Sequence, residues 1–231
     1  MKESGQISMK VVGVGGAGAN IVDRLMLSNP SGVQLTVINT DHQALANSPV
    51  IDKRCIGESI TRGLGASGDP EIGKEAACVD KTELEAMVKG VDLLFIAAGL
   101  GGGTGTGIAP VLADVAAQQG STVIAFVTLP FTIERATRAK VAKSGLESLR
   151  QVANAVIPLP NDLLIQVSDG NASLLDAFSQ ADAWIEKGIT SIWGMMSKTG
   201  LMNLDYSQLR QVFSNRAGNC LLYTSPSPRD S

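Results

Sequence analysis

The sequence predicts an α/β fold in which helices flank a doubly wound, parallel β-sheet. Short apolar segments alternate along the chain with segments whose apolar residues recur at helical spacing, as expected of strands joined by crossover helices. One segment, Val91–Ala98, is apolar at nearly every position, which is typical of a parallel strand buried on both faces. Two glycine-rich stretches also stand where an apolar segment gives way to a helical one. A chain of 231 residues is long enough to bury the core of such a domain.

The predicted elements complete two strand–helix–strand units, whose crossovers should be right-handed. The predicted strands are Met9–Val14, Val33–Ile38, Val91–Ala98, Thr122–Leu129 and a brief one at Ala155–Ile157. The predicted helices are Ala19–Leu27, Ile108–Gln118, Glu134–Val152 and Leu174–Met196. The last helix is unusually long.

Composition and charge argue against several classes of protein. The net charge is −3, so the chain has no basic excess with which to attract nucleic acid. The three cysteines lie far apart and are accompanied by a single histidine, His42, which suggests neither a disulfide framework nor a zinc site. The N-terminal stretch lacks the apolar core of a secretion signal, and no apolar run approaches the roughly 18 residues of a membrane span. We therefore expect a cytoplasmic protein that neither binds nucleic acid nor inserts into a membrane.

The first glycine-rich stretch, GVGGAG at Gly13–Gly18, fits the fingerprint of a dinucleotide-binding turn. Its glycines follow a strand and precede a helix, and Asp41 lies just past the second strand, near where an acid would bind a ribose. Taken alone, the stretch indicates phosphate binding, as in a nicotinamide enzyme, or merely a tight turn.

A second candidate phosphate loop is GDPEIGK at Gly68–Lys74, which has the glycine and lysine spacing of a P-loop. However, Glu75 replaces the Ser or Thr that would bind magnesium, and no predicted strand precedes the segment. We interpret it as a polar loop.

The second glycine-rich stretch, GGGTGTG at Gly101–Gly107, has five glycines in seven residues. A dinucleotide domain needs one glycine-rich phosphate loop, whereas here two such loops follow two strands and each opens a helix. Both helix N-termini can face one crevice, where their free N–H groups and dipoles would hold a polyphosphate. The second loop therefore favours a triphosphate over a pyrophosphate.

Seven motifs resemble, in their order and spacing, those of the tubulin and FtsZ superfamily. They are GVGGAGAN, NTDHQAL, GLGASGDPEIG, AAGLGGGTGTG, LPNDLL, LLDAF and GLMNLDY, and the matches extend from about residue 10 to about residue 218. The resemblance implies a Rossmann-like GTP-binding domain at residues 9–173 and a central helix at residues 174–196. It also implies a catalytic loop, with the start of the next helix, at residues 197–219. The implied ligand is GTP with nucleotide-bound Mg²⁺, and the implied activity is GTP hydrolysis.

The resemblance assigns a role at the nucleotide to each matching residue. Those at the phosphates and ribose are Gly15, Gly16, Gly18, Asn20, Asn39, Asp41, Gly65, Ala66, Gly101, Gly102, Gly103, Thr104, Gly105, Thr106, Gly107, Glu134 and Arg138. For the last two, an ordinary surface ion pair between residues i and i+4 is the alternative. Arg135 stands where the family has a glycine.

The implied base-binding residues are Asn161, Phe178 and Asp182. A carboxylate at Asp182 accepts from the N1–H and N2–H₂ groups of guanine, and adenine lacks those donors, so GTP is the expected nucleotide. The alternative is that Phe178 belongs to the core and Asp182 is a solvated helix residue.

The resemblance also implies a catalytic loop at Gly200–Leu209 that contains Asn203, Asp205 and Gln208. Fifteen residues separate Asp182 from Ser197, or about 23 Å of helix, so the loop cannot reach its own nucleotide. Hydrolysis would then need a neighbouring molecule in a head-to-tail filament. Gln208 replaces the second acid of the family loop, and we expect it to orient water without accepting a proton. Weakened hydrolysis is therefore expected.

The two chain ends fall outside the resemblance. We expect residues 1–8 to be disordered and residues 220–231 to be disordered or foreign to the natural protein, because LLYTSPSPRDS loses all periodicity. The family's second domain and its partner-recruiting tail are not expected in this chain. The resemblance implies a homopolymer at the bacterial division site, in contact with other division proteins. The alternative is a weakly hydrolysing module that caps or co-polymerises with a full-length relative.

Overall fold

The computed structural model describes residues 7–28, 32–163, 174–197 and 210–211. Its strands are β1 (Met9–Val14), β2 (Val33–Asn39), β3 (Asp52–Cys55), β4 (Leu93–Gly99), β5 (Thr122–Leu129) and β6 (Ala155–Pro160). Its helices are α1 (Gly15–Ser28), α2 (His42–Asn47), α3 (Glu58–Thr61), α4 (Pro70–Val79), α5 (Lys81–Val88), α6 (Gly103–Gln118), α7 (Ala136–Val152) and α8 (Leu174–Ser197).

The strands form one six-stranded sheet in the order β3-β2-β1-β4-β5-β6, and every pairing is parallel. This confirms the predicted fold class. The strand order reverses between β1 and β4, which pair in register from Met9 with Leu93 to Val14 with Ala98. Their carboxyl ends therefore lie side by side, at the point where doubly wound sheets open a crevice.

Alternating side chains of β4 enter two apolar layers, one on each face of the sheet. Leu93, Phe95 and Ala97 pack with residues of α1 and α8, whereas Leu94, Ile96 and Ala98 pack with residues of α4 to α7. All six side chains are fully buried. The near-continuous apolar run in the sequence thus reflects a strand covered by helices on both sides.

The prediction of a polar loop at GDPEIGK is wrong, because α4 begins at Pro70. The Asp69 side chain accepts a hydrogen bond of 2.9 Å from the Glu71 backbone N–H, and Pro70 occupies the first turn, where its missing N–H removes no helical bond. This capping signature was present in the sequence. Four shorter elements, α2, α3, α5 and β3, were not predicted.

Two helices begin earlier than predicted. α1 begins at Gly15 rather than Ala19, and α6 begins at Gly103 rather than Ile108, so most of the second glycine-rich stretch is helix and not loop. Glycine weakens a helix relative to alanine, but here it permits close packing. A Cβ at Gly107 would collide with the carbonyl oxygen of Pro70 in α4.

The remaining boundaries differ slightly from the prediction. α7 begins at Ala136 rather than Glu134, and β6 extends to Pro160 rather than Ile157. Two prolines fit in β6 because this strand lies at the edge of the sheet. None of the helices in the described ranges combines the length and the apolar character needed to cross a membrane.

Two glycines of α8 test how this helix packs on the sheet. A Cβ at Gly188 would lie 2.7 Å from Cε1 of the buried Phe126 ring, whereas a Cβ at Gly194 would meet no heavy atom within 4 Å. We expect Gly194→Ala to raise the free energy of unfolding by up to about 1 kcal/mol, through helix propensity. Gly188→Ala gains the same helix propensity, but the added methyl group overpacks the contact with Phe126. It should therefore lower the free energy of unfolding by about 1–3 kcal/mol. Urea unfolding measures both, and equal effects would contradict this packing.

Candidate nucleotide-binding crevice

A cavity of about 300 Å³ opens at the carboxyl ends of β1, β4 and β5, at the reversal of strand order. Its lining brings together both glycine-rich stretches, the start of α7 and the start of α8. Eight predicted site residues line it: Gly15, Gly16, Gly102, Gly105, Glu134, Arg138, Asn161 and Phe178. The expectation that both glycine-led helices face one crevice is met in this arrangement.

In the first glycine-rich stretch, the glycines serve two different purposes. Gly15 has a φ of +71°, a conformation that side chains rarely adopt, and no heavy atom lies within 4 Å of where a Cβ would stand at Gly16. By contrast, a Cβ at Gly18 would collide with the carbonyl oxygen of Ala97. Gly15 and Gly16 therefore shape the crevice, while Gly18 allows α1 to pack against β4. Asn20 is exposed and lies outside the cavity lining.

In the second glycine-rich stretch, too, some glycines shape the crevice and others permit close packing. Gly101 has a φ of +102°, and Gly102 caps α6 without any side-chain hydrogen bond to the first turn. No heavy atom lies within 4 Å of a Cβ position at Gly102. Gly103 and Gly105 instead pack closely, on Ala66 and on the carbonyl oxygen of Gly99. The first N–H groups of α6 thus lack a side-chain acceptor where the helix meets the crevice.

The two threonines of this stretch have hydrogen-bond partners in the protein. The hydroxyls of Thr104 and Thr40 lie 2.7 Å apart, which ties the start of α6 to the end of β2. The Thr106 hydroxyl accepts a hydrogen bond of 2.9 Å from the Gly101 N–H, and Thr106 is only 5% exposed. Neither Thr104 nor Thr106 lines the cavity.

The two predicted loops beside α6 are bonded to each other. The Gly65 N–H donates to the Thr40 carbonyl over 2.9 Å, and Ala66 is buried against Gly103. The Asn39 side chain accepts from the Thr40 N–H over 2.8 Å. Asp41 caps α2, accepting from the N–H groups of Gln43 and Ala44 over 2.8 and 3.2 Å. Asn39, Asp41, Gly65 and Ala66 therefore lie outside the cavity lining, and of these four Ala66 packs directly on α6.

The predicted ribose and phosphate pair, Glu134 and Arg138, forms an ion pair with 2.5 Å between Oε2 and Nη1. Glu134 also accepts a hydrogen bond of 2.9 Å from the Phe131 N–H. An adjoining cavity of about 610 Å³ shares Gly102, Glu134 and Arg138 with the first, and Arg135 lines it as well. Sequence reasoning missed the segment Thr128–Pro130, which lines the first cavity where β5 ends.

The far end of the cavity combines an aromatic ring with a buried amide. Phe178 is 44% exposed and packs edge-on against Phe131, with 5.1 Å between ring centroids. Asn161 is only 3% exposed, and its Oδ1 has no hydrogen-bond partner among the residues that the structure describes. A buried acceptor without a partner carries a desolvation penalty of about 1–3 kcal/mol, which a donor on a ligand would offset.

Asp182 lies one helical turn after Phe178 on α8 but does not line the cavity. Burial raises the pKa of its carboxyl from 3.8 to about 6, and the positive charge of Arg24 opposes part of this rise. Arg24 itself donates to Glu186 over 3.5 Å and to Ser179 over 3.2 Å. Asp182 is therefore half-buried on α8, neither in the cavity lining nor fully exposed. Asn203, Asp205 and Gln208 lie outside the described residues.

Together, the fold and the crevice define a doubly wound α/β protein in which two glycine-led helices, α1 and α6, begin at one crevice where the strand order reverses. The model of the tubulin/FtsZ family, GTPase domain, matches residues 8–169, and the chain belongs to this family.

Solved structures of FtsZ from M. jannaschii are similar to this chain. An empty FtsZ dimer has 39% sequence identity over 92% of this chain, with a TM-score of 0.87. A single-site mutant of that FtsZ has 40% identity over 91%, with a TM-score of 0.86. CetZ2 from Haloferax volcanii, solved as a GTPγS-bound protofilament, has 25% identity over 89%, with a TM-score of 0.77. The chain spans 62–63% of the length of these proteins.

The raised pKa of Asp182 predicts a specific pH dependence of stability. The folded state holds this proton up to about pH 6, whereas the unfolded chain releases it near pH 4. As pH rises between these values, ionisation favours the unfolded chain, and the free energy of unfolding falls. We expect Asp182→Asn to have a higher melting temperature than the parent at about pH 7.5, with the difference vanishing near pH 4. Thermal unfolding across this range measures it; a pH-independent difference would contradict the assignment.

Proposed function

We propose that this chain binds GTP in the crevice and hydrolyses it within a head-to-tail polymer that serves bacterial cell division. Its family is that of tubulin-like GTPases. The observation that carries the proposal is the pair of glycine-led helices, α1 and α6, whose N-termini line a single cavity at the switch point. Two such termini suit a chain of phosphates better than either terminus alone.

In this proposal, the phosphates lie along the backbone of Gly15, Gly16 and Gly102. At Gly16 and Gly102 no heavy atom lies within 4 Å of a Cβ position, so a close approach is open there. Arg138 adds a positive charge at the mouth of the crevice. The remaining predicted phosphate residues hold this backbone in place or lie beside it: Gly18, Asn20, Asn39, Asp41, Gly65, Ala66, Gly101, Gly103, Thr104, Gly105, Thr106 and Gly107.

The base end of the proposed site consists of Asn161, Phe178 and Asp182. The exposed ring of Phe178 offers a stacking surface, and the unpartnered Oδ1 of Asn161 offers an acceptor. Asp182 would pair with guanine as a carboxylate, which requires it to be ionised; with its pKa at about 6, it is mainly ionised at neutral pH.

Mg²⁺ would enter with the nucleotide. Among the described residues, no group of three or more His, Cys, Asp or Glu side chains is placed to hold a metal ion. The phosphate oxygens and water would therefore supply most ligands, as is usual for Mg²⁺. The ion would neutralise charge on the phosphates.

Hydrolysis is proposed to occur between molecules. α8 runs without a break from Leu174 to Ser197, which separates Asp182 from the helix end by about 23 Å. The loop with Asn203, Asp205 and Gln208 follows this end, so it would act on the GTP of the next subunit. Polymerisation of this kind is supported by the relative CetZ2, which was solved as a protofilament.

Base recognition can be tested by exchanging the carboxylate. Asp182→Asn should lower GTP affinity roughly 10- to 100-fold, because the amide presents a donor to the N2–H₂ group of guanine. The same variant should bind xanthosine triphosphate more tightly than the parent does, because xanthine has an acceptor at that position. Equilibrium dialysis measures the affinities for both nucleotides, with ATP and NAD as competitors.

Asp176→Asn, an exposed change on the same helix, is the control and should leave GTP binding unaltered. Tight NAD binding without GTP binding would instead favour an oxidoreductase.

The glutamine in the proposed catalytic loop can be tested by restoring an acid. Gln208→Asp should raise phosphate release at equal polymer mass, because a carboxylate attracts a proton or cation that an amide does not. Equal rates of phosphate release by the two proteins would contradict the proposal that Gln208 weakens hydrolysis.

Sedimentation with GTP tests the alternative function. A chain that forms no polymer alone, yet shortens filaments of a full-length relative, acts as a cap.

A further inference from the structure

Thr106 lies behind the crevice rather than in it. It belongs to the first turns of α6, is 5% exposed, and contributes no atom to the cavity lining. Its hydroxyl accepts the hydrogen bond from the Gly101 N–H over 2.9 Å, so it closes the turn formed by Gly101 and Gly102 from the helix side.

The opposite side of Thr106 faces helix α7. A Cβ at Gly145 would collide with Cγ2 of Thr106, which means that the threonine methyl lies directly on the α7 backbone. Gly101 contacts the same helix, since a Cβ there would lie 3.0 Å from the Arg138 carbonyl oxygen and 3.6 Å from Cβ of Ala142. The glycine turn is therefore held between Thr106 and α7.

This packing connects two parts of the crevice. The turn at Gly101 and Gly102 leads into α6 at the crevice. Glu134, just before α7, and Arg138, in the first turn of α7, line the same cavity. A change in either contact of Thr106 would alter the distance between these two groups. Close-packed contacts transmit such changes, and this contact is close on the side of Gly101 while a cavity of about 490 Å³, lined in part by Thr106 and Gly145, adjoins its other side.

We propose that Thr106 is a positioning residue for the nucleotide, acting through its hydroxyl on the Gly101 turn and through its methyl group on Gly145. It does not contact the nucleotide itself. This inference rests on the proposed function, because the consequence of the positioning is tighter GTP binding.

Two substitutions separate the hydroxyl from the methyl group. Thr106→Ser keeps the hydroxyl and should bind GTP within about twofold of the parent, while melting at a lower temperature because a buried methyl is lost. Thr106→Val keeps a methyl in the same place but leaves the Gly101 N–H without its acceptor. We expect its GTP affinity to fall roughly 5- to 10-fold, the usual net effect of one lost hydrogen bond.

A compensating pair tests the contact with α7. Gly145→Ala should weaken GTP binding at least fivefold, because the added Cβ displaces α7 from Thr106. Combining it with Thr106→Ser removes the colliding Cγ2 and should restore affinity to within about twofold of Thr106→Ser alone, a non-additive result typical of residues in contact. Ser144→Ala, at the adjacent exposed position of α7, is the control and should change neither quantity.

A purely structural role for Thr106 would give the opposite pattern. The melting temperature would change in these variants while GTP affinity stayed constant, and the double variant would be no better than Gly145→Ala. Either result would overturn the proposal, as would equal GTP affinities of Thr106→Ser and Thr106→Val.

Hydrogen exchange at the Gly101 amide separates this inference from the proposed function. It needs no ligand, and exchange should be faster in Thr106→Val than in Thr106→Ser. If the parent chain bound no GTP, the proposed function would fail. Equal exchange rates at the Gly101 amide in the two variants would contradict the positioning role, whether or not the parent binds GTP.

Discussion

The structure depends on the close approach of α6 to its neighbours. At three glycines in its first turns, this helix passes so near to its neighbours that a Cβ would not fit. Gly103 lies against Ala66, Gly105 against the Gly99 carbonyl, and Gly107 against the Pro70 carbonyl. Glycine lowers helix stability relative to alanine. Here it permits the close packing that fixes where the helix begins. Because β4 leads directly into α6, the position of this terminus also fixes the crevice.

Which glycines lie open to the crevice was not predictable from the sequence. GGGTGTG predicts a phosphate loop, yet within it only Gly101 and Gly102 precede the helix, and Gly102 alone has open space where a side chain would be. A collision between a Cβ and a distant backbone depends on tertiary packing, which a local pattern does not record. The fold class was predictable because alternation and the doubly buried β4 are local features. In contrast, β3 (DKRC) is too short and too charged to be predicted as a strand.

The candidate site was predicted more fully at its phosphate end than at its base end. Strand ends in a parallel sheet meet at one edge, so the glycine motifs after β1 and β4 had to be neighbours. Asn161, Phe178 and Asp182 follow from the resemblance alone, and the structure brings only the first two into the cavity lining. Asn161 Oδ1 is buried without a partner among the described residues, and burial raises the pKa of Asp182 to about 6. Both groups lower the stability of the folded chain, and in the proposed function guanine would supply their missing partners.

Helices α1 and α8 connect the crevice to the distant end of the molecule. α1 begins at Gly15 in the crevice, and its polar residues are bonded to α8, where Glu186 accepts from Arg24 and Ser28. Ala181, Ile185 and Ile189 repeat at helical spacing and pack in the same apolar layer as Ile21 and Leu25 of α1. α8 is therefore held as a rigid rod over at least these turns. A helix of this length places Ser197 about 23 Å from Asp182, and in the proposed function the catalytic group beyond Ser197 acts on the nucleotide of a neighbouring molecule. In the proposed function, the dependence of hydrolysis on assembly thus follows from the length and rigidity of one helix.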